Sequence, residues 1–275
     1  MATQDKLGNW KGKLGAYTFR VVGDLNIIQQ RPGKGNVNVS AVTKTFNREF
    51  CLASNRGRMI RQLLRPLFVG FNDGGMVNRL NRQLLKVMKS NHDLPMGERD
   101  VYDGDLSLLD QFDFNSRAPF ALAFQPSLNI LGGATDLSLE IPSFQPAQEL
   151  AFPQGAVACR LKLLVSVLDL EQCRYQQLDT REVVFERSDS FTLPLRWLWT
   201  PAVPQNTLVL LTASLKFLTP GLNELLEMNN PELNPVSLLR VCRANEYLPP
   251  LLEESNGYWG TWFPLVGLNG NTLKR

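Results

Sequence analysis

The chain has 275 residues, 44% of them hydrophobic and 20% charged, with a formal net charge of +3. This is globular composition with enough chain for a sizeable core, and it excludes wholesale disorder. The single histidine, His92, excludes a multi-histidine metal site and leaves a Ser-His-Asp hydrolase only that residue to use.

The first residues lack the basic start and the apolar run of roughly 7–15 residues that a secretory signal needs. The longest apolar stretch, residues 161–170, is broken by Lys162, Ser166 and Asp169. A bilayer helix needs about 20 predominantly apolar residues, so no membrane span is expected. The expected compartment is cytoplasmic as synthesised, with signal-independent release left open. Cys51, Cys159, Cys173 and Cys242 form no C-x-x-C pair. Four reduced, mostly buried thiols are the simplest reading, although Cys159 and Cys173 could meet across a hairpin.

Charge is unevenly spread. Residues 1–90 hold 16 basic and 4 acidic side chains, residues 91–185 hold 6 and 14, and residues 186–275 hold 7 and 8. Such asymmetry suits docking between oppositely charged segments, of this chain or of its copies, or contact with nucleic acid.

Residues 8–31 predict a β-hairpin. Residues 16–22 are rich in β-branched and aromatic types, Gly23-Asp24 suits a type II′ turn, and residues 25–30 return. Residues 31–35 (Arg-Pro-Gly-Lys-Gly) make a basic connector. A lone hairpin is marginal in water and must pair with something, which raises strand addition between subunits.

Val42, Phe46, Phe50, Ala53, Gly57, Ile60, Leu64 and Leu67 recur at spacings of three and four, predicting a helix over 41–69 capped by Ser40 and ended or kinked at Pro66. Lys44, Arg48, Arg56, Arg58, Arg61 and Arg65 lie off that face. A second helix, 76–90, carries Met76, Leu80, Leu84 and Val87 on one side and Arg79, Arg82, Lys86 and Lys89 elsewhere. The pair supplies enough cations for several phosphate contacts, with Tyr17 and Phe19 near Arg20 available for stacking. No specific nucleic-acid-binding module accompanies them.

Residues 93–117 form an acidic linker. Beyond it the period changes to two, with candidate strands at 118–125, 136–141, 156–168, 182–187, 190–197, 206–218 and 236–243, a short helix at 222–228 and an aromatic edge strand at 258–263. About seven short strands with intervening turns argue for an antiparallel sandwich. The expected fold is therefore α+β: an N-terminal hairpin and connector (1–35), a basic helical pair (36–92), an acidic linker (93–117) and a C-terminal antiparallel β-sandwich (118–275).

Chemical motifs are few. Gly33-Lys34-Gly35 lacks the spacing of a phosphate loop, Gly132-Gly133 is a turn rather than a dinucleotide fingerprint, and no G-x-S-x-G elbow occurs. His92 reads as a solvent-facing residue complementing a helix C-terminus. The run from Asp100 to Asp105 fails as a calcium loop because the twelfth position is Gln111. It reads as a solvated linker, an acidic patch docking the basic helices, or an irregular cation site. No catalytic residue, cofactor or metal ligand is assigned. A hydrolase on the sandwich would need an apolar pocket holding two carboxylates of raised pKa.

Residues 8–15 (Gly8-Asn9-Trp10-Lys11-Gly12-Lys13-Leu14-Gly15), followed by an aromatic hairpin, Arg31-Pro32 and a helix with Arg48 and Phe50, resemble an uncharacterised bacterial family known chiefly from the Bacteroidota. The resemblance covers about residues 7–70 and implies a G-x-x-x-G-K-x-G hairpin, a helix and a β-sandwich. It implies no activity.

The leading expectation is a non-enzymatic structural or binding protein that assembles with itself or a protein partner. The alternative is non-specific binding of nucleic-acid backbone through residues 34–90. Candidate partner-binding residues are Tyr17, Phe19, Arg48, Arg56, Arg61, Arg65, Arg79, Arg82, Trp197 and Trp199. Trp197 and Trp199 alternate, so both belong to one strand face, either in the core or presented as an interaction surface.

Overall fold

In the computed structural model the expected N-terminal hairpin is part of a larger antiparallel meander. Residues 2–6, 8–22, 25–31, 39–134, 136–200, 203–230, 232–244 and 263–264 are described. Contacts divide the chain into two units, Met1–Thr45 and Phe46–Arg275.

In the first unit, β1 (Thr3–Gln4), β2 (Trp10–Leu14), β3 (Tyr17–Val22) and β4 (Leu25–Gln30) pair in sequence order. A two-residue turn joins β2 to β3, and Gly15 takes the left-handed backbone (φ 54°) that a tight hairpin turn needs. Val22 pairs with Leu25, so two residues separate β3 from β4. Gly23 and Asp24 themselves lie outside the described residues, as does most of the 31–35 connector. β2 escaped the period-two reading because Lys11, Gly12 and Lys13 give it little strand character.

Helix α1 (Ala41–Phe68) begins where Ser40 Oγ accepts the Thr43 N–H at 3.1 Å. Pro66 stands in its last turn and the helix stops two residues later. In the second unit, α2 (Met76–Ser90) folds back on it, and Ser54 and Gly57 meet Asn81 and Leu84. Two 3-10 turns follow, Val101–Asp103 and Leu106–Leu109, then β5 (Phe112–Asp113) and the short α3 (Phe120–Ala123). The expected linker is thus no linker. It buries Val101, Leu106, Leu109 and Phe114 in the core beneath the helices.

The remaining elements are β6 (Asn129–Leu131), β7 (Leu137–Ile141), α4 (Pro146–Glu149), β8 (Ala158–Asp169), β9 (Arg174–Glu186), β10 (Leu195–Trp199), β11 (Thr207–Pro220), β12 (Leu225–Glu227), β13 (Val236–Arg243) and β14 (Phe263–Pro264). A large antiparallel sheet runs β14-β9-β8-β11-β13-β5, with β12 paired to β11, and a small one runs β10-β7-β6. Cys159, Leu161, Leu163, Val165 and Val167 of β8 face the small sheet, with Val209, Leu211, Ala213, Leu215 and Phe217 of β11 beside them. Leu164, Leu168, Leu208, Leu210 and Leu238 face the helices. The central strands are buried on both faces, so they read as near-continuous apolar runs. The α+β class and the sandwich of sheets stand, but the helices form a third layer of the same unit.

Three local expectations change. Residues 120–123 are helical where a strand was expected, because Pro119 leads into a turn tied to Asp113. Leu225–Glu227 is a strand where a helix was expected, because its backbone pairs with the end of β11. Residues 190–194 are not strand. Of the expected aromatic edge strand 258–263, Phe263 pairs with β9, as does the following Pro264, and residues 258–262 lie outside the described residues. Among the described residues no helix is long and apolar enough to cross a membrane.

Candidate interaction surface

The alternation of β2, β3 and β4 sorts their side chains onto two faces. The register places Gly12, Phe19 and Ile28 in one row and Leu14, Tyr17 and Gln30 in the next. Trp10 belongs to the same face by the two-residue period and Val21 stands there opposite Asn26, so the face is mainly aromatic and aliphatic, with two amides on β4. The opposite face carries Lys11, Lys13 and Arg20. Trp10 and Phe19 stand with ring centroids 6.2 Å apart. Trp10 is 46% exposed, Tyr17 49% and Ile28 64%, while Phe19 is half-buried. No described residue between Ala2 and Thr45 is buried.

The six candidate arginines of the helices are divided between buried, half-buried and exposed positions. Arg56 is buried: its Nε donates to Asp100 Oδ1 at 3.0 Å, Nη2 engages Asp100 Oδ2, and Nη1 donates to the Leu170 carbonyl. It was placed on the basic outside, and its acidic partner is what draws it in. Arg79 engages Asp73, donates to the Asp113 carbonyl at 3.0 Å and lies over the Phe112 ring. Arg48, Arg65 and Arg82 are exposed and Arg61 is half-buried. Burial lowers the Arg61 pKa, and the neighbouring Arg58 adds to the shift. Arg58, Arg61 and Arg65 line an open cleft of about 260 Å³ with Phe68, Val69 and Met76.

The tryptophans belong to the core side of β10. Trp199 is buried and its Nε1 donates to Asp179 Oδ2 at 2.7 Å; Trp197 is half-buried, opposite Leu139 on β7. This removes the pair as a presented stacking surface.

The acidic segment is built of caps and pairs. Asp100 accepts the Val101 N–H at 2.6 Å, and Asp105 accepts the Ser107 N–H at 3.0 Å. Among the described residues no group of acidic, cysteine or histidine side chains is arranged to hold a metal ion. His92 is exposed just beyond α2, and the four cysteines are free thiols.

Sequence reading did not single out Asp110 and Asp113. Both line a cleft with Arg79 and Gln83, and Asp113 also lines a more apolar one with Phe120, Phe124 and Leu239. Burial raises both carboxyl pKa values. Each is tied to the backbone, Asp110 accepting the Val241 N–H at 3.0 Å and Asp113 the Phe120 N–H at 3.1 Å. Gln111, between them, has a left-handed backbone (φ 60°) that turns the chain into β5. The first ties the turn before β5 to β13, and the second ties β5 to the start of α3. No family model and no curated protein matches this chain.

Proposed function

We propose that this chain is a non-enzymatic binding protein that assembles, with itself or with a protein partner, through its N-terminal sheet. The observation that carries the reading is the aromatic face of β2–β4, in a unit with no buried residue among those described. A four-stranded sheet without a covered face has little to offset its ordering entropy, and a partner supplies the missing burial. The engagement of Arg56 and Arg79 by acidic residues of the same chain also favours assembly over phosphate binding.

Light scattering on the full chain at low and high salt, with and without a random DNA duplex, tests this. A salt-stable oligomer, or a complex with a protein partner that Tyr17→Lys abolishes, supports the reading. A chain that stays monomeric, takes no protein partner and joins DNA only at low salt overturns it. A second reading, non-specific binding of nucleic-acid backbone, rests on Arg48, Arg65 and Arg82, which are exposed, and on the arginine-lined cleft of α1.

A further inference from the structure

Which atoms of the N-terminal sheet are left over can be read from its register. The Arg31 N–H donates to the Ala16 carbonyl at 2.7 Å, and Tyr17 stands opposite Gln30. Hydrogen-bonded and non-bonded pairs alternate along an antiparallel ladder. Leu25, Ile27 and Gln29 therefore turn their backbone groups toward β3, and Asn26, Ile28 and Gln30 turn theirs to the open side. No described strand lies there.

Sheet edges are ordinarily blunted by charge, proline, bulges or short length. The β1 edge is two residues long. The β4 edge is six residues, Leu-Asn-Ile-Ile-Gln-Gln, with no charge and no proline. We infer that β4 pairs antiparallel with β4 of a second copy, about a two-fold axis at Ile28. This rests on the assembly reading above and names its partner and register.

The register follows from backbone parity. Placing Ile28 opposite Ile28 sets Asn26 opposite Gln30 on both sides, so all three outward residues of each copy find outward partners. Each such pair exchanges two backbone hydrogen bonds. A slip of two residues loses one of the three pairs. A slip of one sets outward groups against inward ones and turns the aromatic faces to opposite sides. In the inferred register the two aromatic faces stay on one side, and Arg31, the first charge beyond β4, falls opposite Leu25 rather than opposite another cation. The interface is isologous, as a closed dimer requires.

Sedimentation of the full chain over a concentration series, with two variants, tests it. Ile28→Pro removes an N–H that β3 does not use, so the meander survives and the dimer is lost. The dissociation constant is expected to rise roughly 100-fold with the circular dichroism unchanged. In a Cys51→Ser background, Ile28→Cys is expected to form a disulfide dimer on mild oxidation, and Leu25→Cys is not. That comparison stands even if the proline variant fails to fold. A dimer that keeps its mass in Ile28→Pro, or cross-links at 25 rather than 28, overturns the register and leaves assembly standing. A chain monomeric at every concentration overturns the inference, and one that also binds no protein partner overturns the assembly reading with it.

Discussion

Arg56 and Asp100 clasp each other as a fork, two guanidinium nitrogens on two carboxylate oxygens, and Arg56 is buried. This pair joins the middle of α1 to the start of the acidic segment. Removing one partner of a buried pair leaves the other charge uncompensated, at about 3–5 kcal/mol. Asp100→Ala is therefore expected to destabilise by about 3 kcal/mol in urea melts, scarcely changed by salt. Arg56→Met, which removes the buried charge and keeps much of the volume, is expected to cost less. An Asp100→Ala loss under about 1 kcal/mol would mean that water reaches the guanidinium.

Gly104 lies against α2. A Cβ there would stand 1.9 Å from the Val87 carbonyl oxygen and 2.6 Å from its carbon. Those are backbone atoms of a helix, so neither can swing away. Gly104→Ala is expected to cost about 2–3 kcal/mol, the range of overpacking, measured as a lowered thermal midpoint. Ser90 Oγ accepts the Asp105 N–H at 2.7 Å beside it, so the strain would spread into the last turn of α2.

The second helix was legible because its apolar spacing matched what it buries: 76–90 was expected and Met76–Ser90 is observed, whereas Val42, Phe46 and Phe50 of the face expected for α1 are exposed. The β13 bounds, 236–243, were legible for the matching reason. The fate of the acidic segment was not. Its aspartates are conspicuous in sequence, yet the residues deciding its position are the sparse apolar ones, Val101, Leu106, Leu109 and Phe114, whose spacing fits no regular element. Arg56 was misplaced for a related reason, since a helical arginine off the apolar face reads as solvent-facing until its distant carboxylate, Asp100, is known. Tyr17 and Phe19 were visible as strand residues, but Trp10 and Ile28 joined them only through the register.

Asp73 gives a pH-dependent test. Burial works against its charge, but the Ser116 N–H and hydroxyl, Arg79 and the Gly75 N–H together hold its carboxyl down at about 2. The unfolded value is about 3.9. A depressed native pKa contributes stability that is present above about pH 4 and lost as pH falls toward 2, on the order of 2 kcal/mol. Asp73→Asn is expected to be less stable than the parent by about that amount at pH 7. The gap should narrow progressively below pH 4. A gap of constant size from pH 7 to pH 2 would assign the loss to geometry rather than charge.

Asp113 has the opposite sign. Burial raises its carboxyl pKa in spite of the Phe120 N–H, the Ser237 hydroxyl and the Arg79 charge. A native pKa above the unfolded one means that the native state holds its proton more tightly, so the contribution is most favourable below about pH 4 and falls as pH rises through the raised value. At pH 7 the ionised group costs stability. Asp113→Asn keeps an oxygen for the Phe120 and Ser237 donors and removes the buried charge, so it is expected to be neutral or stabilising by up to about 1 kcal/mol at pH 7 and to lose that advantage in acid. Asp113→Ala orphans the same donors and should destabilise by about 1–3 kcal/mol. Urea melts of both variants at pH 4 and pH 7 separate the two effects. An asparagine variant less stable than the parent at pH 7 would show that the hydrogen bonds to the charged form outweigh its desolvation.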